Sequence, residues 1–460
     1  MPSTSSHQPE SLRLTTGKPA RGLAPLPDHV PRARRDGRPG MNGHAAARHP
    51  VSNRHVLVVG TDETTDRGGI AAHTQGLAEH LARSAASVSM LATPTRPPTP
   101  VRTAPPPSPP TGIRIGEGAA VVRVRCHPPD AQGGWRRASD RLGFLTGALT
   151  ATLPHVPDIV IGVTPGLGSA VTAARIARRH RVPLVLVVHD LVNARPNGMT
   201  GRGLTLAAAT ERRLTRAATE IAATSPEIAE HLYDLGLRAE HVHLLPQWAP
   251  PDVEPIDQLT ARRTLGWPSL PFTVVLSAAG NSRPDLATVN AAADELHREA
   301  QVVVLGLGPR RSGVPAQPSG PDLVHRAGPL DDDDHHRALV AADLLLVAER
   351  PDTTGLPLPG VVAHYLAAGR PVLAATRETG SVAGELDRTG GAGLVVRPGD
   401  PRLLAAAIRA LQADQPLRLA MGQAAETYAR RRLGHAEAMR QLDTMLGIAL
   451  GDTMVNLADT

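Results

Sequence analysis

Three short segments of the 460-residue chain carry side chains suited to handling a polar, phosphate-bearing ligand. Val188-His189-Asp190 ends a strongly apolar run, so a strand over residues 183–189 would deliver the His189 imidazole to its carboxyl end. An imidazole there can meet a sugar hydroxyl or accept a proton; a strand-end histidine can also be purely structural. Gly68-Gly69 stand between the apolar run at 55–59 and a helical pattern. Paired glycines ahead of a helix let backbone N–H groups approach a phosphate, whose charge the helix dipole favours. Their spacing is not G-x-G-x-x-G, so the dinucleotide fingerprint is missing, and a tight turn with positive φ would demand glycine as well. Arg283, in Gly280-Asn-Ser-Arg283, follows the apolar run at 273–278. The only lysine is Lys18, so charge on a departing phosphate must be met by arginine, histidine or backbone dipoles. Arg283 is the best-placed candidate for that work, with a solvated loop arginine as the alternative.

Metal chemistry has weaker footing. Asp331-Asp-Asp-Asp-His-His336 looks like a cation cluster, but it follows a Gly-Pro turn and opens a helix, where acids suit the dipole and Asp caps free N–H groups. His241 and His243 alternate along a strand with no third ligand near in sequence. The single cysteine, Cys126, excludes an intramolecular disulfide framework and any multi-cysteine zinc or iron–sulfur site. No metal and no cofactor are expected.

The elements that must position these residues alternate. Strand-like runs fall at 55–59, 88–92, 120–125, 158–163, 183–189, 220–223 and 241–245, with helical stretches between most of them. Ile70, Thr74, Leu77, Ala78 and Leu81 share one face of the first helix. After the proline-rich linker 246–255 the pattern restarts, with strands at 273–278, 301–306, 343–347, 371–374 and 393–396 and helices at 285–298, 335–342, 361–368 and from 401 onward. Strand alternating with helix means a parallel sheet covered on both faces. The expected fold class is therefore α/β with two Rossmann-like domains, residues 51–250 and 257–432. A proline-rich loop at 94–111 interrupts the first, and a C-terminal helix and tail cover 433–460. Two such domains place a ligand in the cleft between them, where the carboxyl ends of the strands face each other.

Charge locates a separate tail. Residues 1–50 hold eight basic and three acidic side chains, five of the six net positive charges, and lack any hydrophobic period. They read as a disordered basic tail, and Met41 is an alternative start. The body is almost neutral and poor in aromatics, so nucleic acid is not an expected partner. No apolar run approaches the ~18 residues of a membrane span, and no apolar segment follows the amino-terminal charges as in a secretory signal. A cytoplasmic protein is expected.

The ordered set of motifs resembles the large retaining, nucleotide-sugar-dependent family-4-type glycosyltransferases of GT-B fold, nearest to the colanic-acid and exopolysaccharide type. The resemblance spans about residues 55–434. It rests on Glu63-Thr-Thr-Asp-Arg-Gly-Gly-Ile70 with His73, Val187-Val-His-Asp-Leu191, Ala223-Thr-Ser-Pro-Glu227 and Leu245-Pro-Gln-Trp248 in the first half. In the second half it rests on Val304-Leu-Gly-Leu-Gly-Pro309, Tyr365-Leu-Ala-Ala-Gly-Arg-Pro-Val372 and Gly391-Ala-Gly-Leu-Val-Val-Arg-Pro-Gly-Asp400. It implies sugar transfer with retention from a nucleoside-diphosphate sugar, held mainly by the C-terminal domain. The acceptor, a sugar or a lipid-linked one, would sit on the N-terminal domain, with peripheral association at the inner membrane face. His189 would lie near the reacting centre, Gly68 and Gly69 at the first-loop turn, and Arg283 on the diphosphate.

Three donor-side features depart from the family's pattern. His364 stands where the second carboxylate of its E-x7-E pair belongs, and Leu356 where the first does. Pro359-Gly-Val361 replaces Pro-Ser-Lys, and the basic pair after the first C-domain strand shrinks to Arg283 and Pro284. Each lost contact of that kind costs about 2.7–4 kcal/mol of barrier. Glu349, Arg326 or Arg350 would have to compensate. The alternative is a catalytically degenerate glycosyltransferase-like binding protein; a third reading is another GT-B activity, such as a UDP-sugar 2-epimerase or a phosphorylase.

Overall fold

The computed structural model describes residues 13–14, 49–62, 70–94 apart from 86, 113–114, 119–123, 153–164 apart from 154, 167–191, 202–249, 256–267, 272–278, 284–307 apart from 298, 324–353 apart from 329, 355 and 357–451. Two sheets organise them. The first runs in spatial order β4 (Ile113–Arg114), β5 (Ala119–Arg123), β3 (Ser87–Pro94), β2 (His55–Asp62), β6 (Ile159–Val163), β7 (Leu184–Val188), β8 (Glu220–Ala223) and β9 (Val242–Leu244). All its pairings are parallel except β4 with β5. The second runs β1 (Arg13–Leu14), β15 (Gly393–Val396), β14 (Val372–Ala375), β13 (Leu344–Ala348), β10 (Phe272–Ser277), β11 (Ala300–Leu305) and β12 (Val324–Arg326). Here only β1 is antiparallel. Within the tail read as disordered, Arg13 and Leu14 thus pair with Val395 and Leu394.

Without its antiparallel edge strand, the second sheet follows the Rossmann order 3-2-1-4-5-6 and the first extends it by one strand, β9, to 3-2-1-4-5-6-7; each reverses direction beside its first strand. The reversals lie between β2 and β6 and between β10 and β13. Every residue of β6, β7, β8, β10, β11, β13, β14 and β15 is buried. This is why those segments read as continuous apolar runs rather than alternating ones.

The helices are α1 (Ile70–Ser84), α2 (Leu167–His180), α3 (Arg202–Ala217), α4 (Pro226–Asp234), α5 (Gln258–Leu265), α6 (Leu286–Glu295), α7 (Asp332–Ala341), α8 (Val361–Ala367), α9 (Ser381–Arg388), α10 (Pro401–Ala413), α11 (Gln415–Arg432) and α12 (His435–Ala449). The acidic run is a helix start: Asp331 caps α7 by accepting from Asp334 N at 2.8 Å, so that helix begins earlier than its apolar spacing suggests. Asp285 caps α6 in the same way, accepting from Thr288 N. His241 and His243 do have a common acidic partner, Glu220 of the neighbouring strand, at 3.3 and 2.6 Å.

The chain's last helix returns to the first domain. Ala438, Met439, Leu442, Met445, Leu446 and Ala449 form one apolar stripe of α12 at helical spacing, buried with Leu77, Leu81 and Val56 in one core cluster. Replacing Leu442, fully buried there, by alanine is expected to cost about 2–5 kcal/mol, read as a lower urea midpoint. An unchanged midpoint would mean that α12 contributes little to that core.

Candidate active site

The first sheet's carboxyl edge presents two buried imidazoles. His189 follows β7 directly and is 2% exposed; its backbone N–H donates to Thr164 Oγ1 at 3.1 Å. Thr164 in turn follows β6, and its N–H donates to Val187 O at 2.9 Å, so neighbouring strands fix where the His189 ring begins. His73 comes from the first turn of α1 and meets His189 edge to face, with centroids 4.5 Å apart. Its other face stacks on Trp248 at 3.9 Å, and Trp248 meets His435, the first residue of α12, at 5.6 Å. Gly76 makes room for this indole: a Cβ there would lie 3.0 Å from Trp248 Cζ2.

None of the four ring nitrogens of His73 and His189 has a hydrogen-bond partner among the described residues. Burial pushes the His189 imidazole down to about 3, and burial together with the neighbouring His189 holds His73 well below its ordinary value. Both rings are therefore neutral at pH 7. Each can offer one N–H and one lone pair to a ligand.

The carboxyl edges of the two sheets adjoin. Ser225, at the end of β8, caps α4 and lies 3.3 Å from Ser381, which opens α9 after β14. Glu227 of α4 takes a 2.7 Å ion pair from Arg388 of α9, and a Cβ on Gly384 would sit 2.3 Å from Glu227 Oε1. A side chain there would displace this carboxylate from its ion pair. Gln247 Nε2 donates to Leu358 O across the same junction at 2.9 Å.

On the second sheet's edge, Glu349 follows β13 and accepts from Thr376 Oγ1, which follows β14. Burial raises the Glu349 carboxyl above its ordinary range, against the pull of that hydrogen bond and of Arg377. Arg326 ends β12 with its side chain exposed. His364 lies on α8, 5.9 Å from His335, whose Nε2 is 2.9 Å from Ser277 Oγ at the end of β10. Burial lowers His364 to about 3 and His335 to about 4, with His335 and His336 respectively adding to the effect. His364 is thus a neutral ring and not an electrostatic replacement for a carboxylate. Tyr365 beside it is fully buried; its hydroxyl accepts from Ser277 N at 2.7 Å and donates to Leu346 O at 3.1 Å.

Of the residues singled out in the sequence, His189, Glu349, Arg326 and His364 fall on these carboxyl edges or on the helix beside them. Gly68, Gly69 and Arg283 lie outside the described residues. Arg350 pairs instead with Asp352 at 3.0 Å. The sequence reading passed over His73, Trp248, His435, Ser277 and Thr376 as site residues. His73 alone carried a local signal, a polar side chain next to Thr74 on the buried face of an apolar helix.

This arrangement is a two-domain GT-B fold whose sheets meet near their carboxyl edges. Residues 68–248 match the glycosyl transferase 4-like domain and residues 280–414 the glycosyl transferases group 1 domain. The chain belongs to the glycosyltransferases built from this pair of domains. No curated protein matches it in sequence. Among solved structures it is similar to sucrose-phosphate synthase from Thermosynechococcus elongatus, with 20% identity and a TM-score of 0.68 over 86% of this chain and 100% of that one. HepE of Anabaena, in complex with UDP and glucose, aligns at 17% identity and a TM-score of 0.58, again over 86% and 100%. WaaG, a glycosyltransferase involved in lipopolysaccharide biosynthesis, aligns at 16% and 0.57 over 85% and 100%. No helix among the described residues is long and apolar enough to cross a membrane.

Proposed function

We propose that the protein transfers a hexose from a nucleoside-diphosphate sugar to a hydroxyl acceptor with retention of configuration. The observation that carries this reading is the pair of neutral, unpartnered imidazoles of His73 and His189 at a carboxyl edge that adjoins the second domain. An unpaired buried polar group costs about 1–3 kcal/mol, and sugar hydroxyls entering the cleft would satisfy these nitrogens. His189 contacts the transferred sugar. The second domain holds the nucleotide, with Arg326, Arg283, Ser277, Thr376 and Glu349 as its polar contacts, and His364 offers a neutral hydrogen-bonding group. As diphosphate departs, an oxocarbenium-like sugar forms, and the site's task is to stabilise the leaving charge. HepE, crystallised with UDP-glucose, supports a uridine donor. The resemblance to exopolysaccharide enzymes supports a role in cell-surface polysaccharide or glycoconjugate synthesis. A lipid-linked acceptor would bring the protein to the inner face of the membrane.

One observation favours a second reading: His364 is neutral where the family's pattern has a carboxylate, so a protein that binds nucleotide without turnover would show the same cleft. Calorimetric titration with UDP, GDP, ADP and TDP and their common sugars, paired with a donor-turnover assay, separates the two. One nucleotide is expected to bind, and Arg326→Ala to weaken it by roughly tenfold or more, as for loss of a charged hydrogen bond. Binding without turnover would establish the second reading. No binding by a folded sample would overturn both.

A further inference from the structure

The described residues contain one group of three ligand-bearing side chains outside the cleft, formed by His49, His80 and Asp443, and the transfer reading makes no use of it. His49 precedes β2, His80 lies on α1, and Asp443 lies on α12, so three segments far apart in the chain meet there. His80 Nε2 is 2.9 Å from Asp443 Oδ1 and 3.1 Å from Oδ2. His49 Nε2 is 3.0 Å from Asp443 Oδ2, is shut off from solvent, and lacks the alignment of a hydrogen bond. Two imidazole nitrogens and a carboxylate are thus gathered at one spot.

We infer that His49, His80 and Asp443 form a binding site for a zinc-class divalent cation that fastens α12 and the segment before β2 to α1. Two imidazoles and one carboxylate are the donor set of zinc and its neighbours, whereas magnesium and calcium take oxygen ligands. Tetrahedral coordination at about 2.0–2.1 Å places donor atoms about 3.4 Å apart. Here the three donor atoms all lie within 4.8 Å of one another, so modest side-chain shifts suffice. The side chains are 24%, 15% and 21% exposed, which leaves an open side for water as the fourth ligand.

Burial pushes the Asp443 carboxyl up, but the two imidazoles outweigh it and keep the group ionised, as a metal ligand must be. One rearrangement is required. Val51 N–H points to His49 Nδ1 at 3.4 Å, so His49 carries its proton on Nε2 in the metal-free protein. Binding through Nε2 moves that proton to Nδ1 and gives up this long contact. The fastening would act on the helix that closes the first domain's core, outside the cleft.

The test is titration of the full chain, stripped with chelator, with zinc chloride, followed by thermal melting and limited proteolysis of the α12 region. One zinc per chain is expected, with a raised Tm and slower cleavage, reversed by chelator and not reproduced by magnesium or calcium. His80→Asn and Asp443→Asn should each weaken zinc binding at least as much as the roughly 10–100-fold that loss of an outer-shell contact costs. Should either variant be unstable, cobalt(II) on the unaltered protein gives an independent answer. The intense visible absorption of four- or five-coordinate cobalt supports the site, and the weak spectrum of six-coordinate aqueous cobalt overturns it. Equal zinc affinity in the parent and both variants would assign the binding to other histidines and also overturn it.

Discussion

Replacing His189 by alanine is expected to lower donor turnover by about 10²–10³-fold, the range found when one preorganised contact to developing charge is removed. The ring is placed by backbone contacts to Thr164 and packs edge to face on His73, so its position does not depend on a ligand. Because burial holds it at about 3, it is neutral between pH 6 and 8 and works by hydrogen bonding, not by carrying a proton. The His189-dependent part of the rate should therefore show no inflection across that range. His189→Asn, which keeps a donor and an acceptor, should retain more activity than alanine, and His73→Ala should fall between them because it removes the support of the ring. Near-normal turnover in folded His189→Ala would place the reacting centre elsewhere.

The alternation of strand and helix was legible because buried parallel strands leave unbroken apolar runs, and most strand bounds read from them lie within a few residues of the observed ones. Strand order was not legible in the same way. That β13 pairs with β10, and not with β12 which precedes it in the chain, is a long-range choice that no local pattern records. The same limit governed the site. His189 announced itself at the end of its strand, but its surroundings come from α1, from Trp248 after β9 and from His435 at the start of α12, which only the folded chain brings together. Glu220 was invisible as the partner of His241 and His243 for want of a register: Ile221 pairs with Val242, which puts Glu220 beside both histidines. His364 was found as a departure from a family pattern, and the structure adds that it lies within a cluster of buried, neutral rings.

Those rings, together with the separate pair His73 and His189, lead to the second large effect, a steep loss of stability in mild acid. His189 and His364 are held at about 3, His335 at about 4, and His73 well below its ordinary value, each first of all by burial. In the unfolded chain all four take up protons near 6.5. The unfolded state therefore binds more protons in this range, and stability rises with pH. The contribution is fully present above pH 6.5 and is lost as the pH falls from there toward 3–4. At pH 5 the His189, His364 and His335 imidazoles each cost about 2 kcal/mol. Together they cost on the order of 6 kcal/mol, comparable to the ~5–15 kcal/mol that holds a typical protein folded, and His73 adds to the loss in the same direction. Asp443 is lowered as well and acts in the same direction, but its titration lies below this window. Urea midpoints measured at pH 7.5 and pH 5.0 should thus differ sharply, and the protein should unfold near or below pH 5. His364→Leu removes one ring without adding a polar group, so it should recover about 2 kcal/mol of the loss between those two pH values. A midpoint that stays flat from pH 7.5 to 5.0 would mean that the four rings are not held neutral, and the hydrogen-bonding role argued for His189 would fall with them.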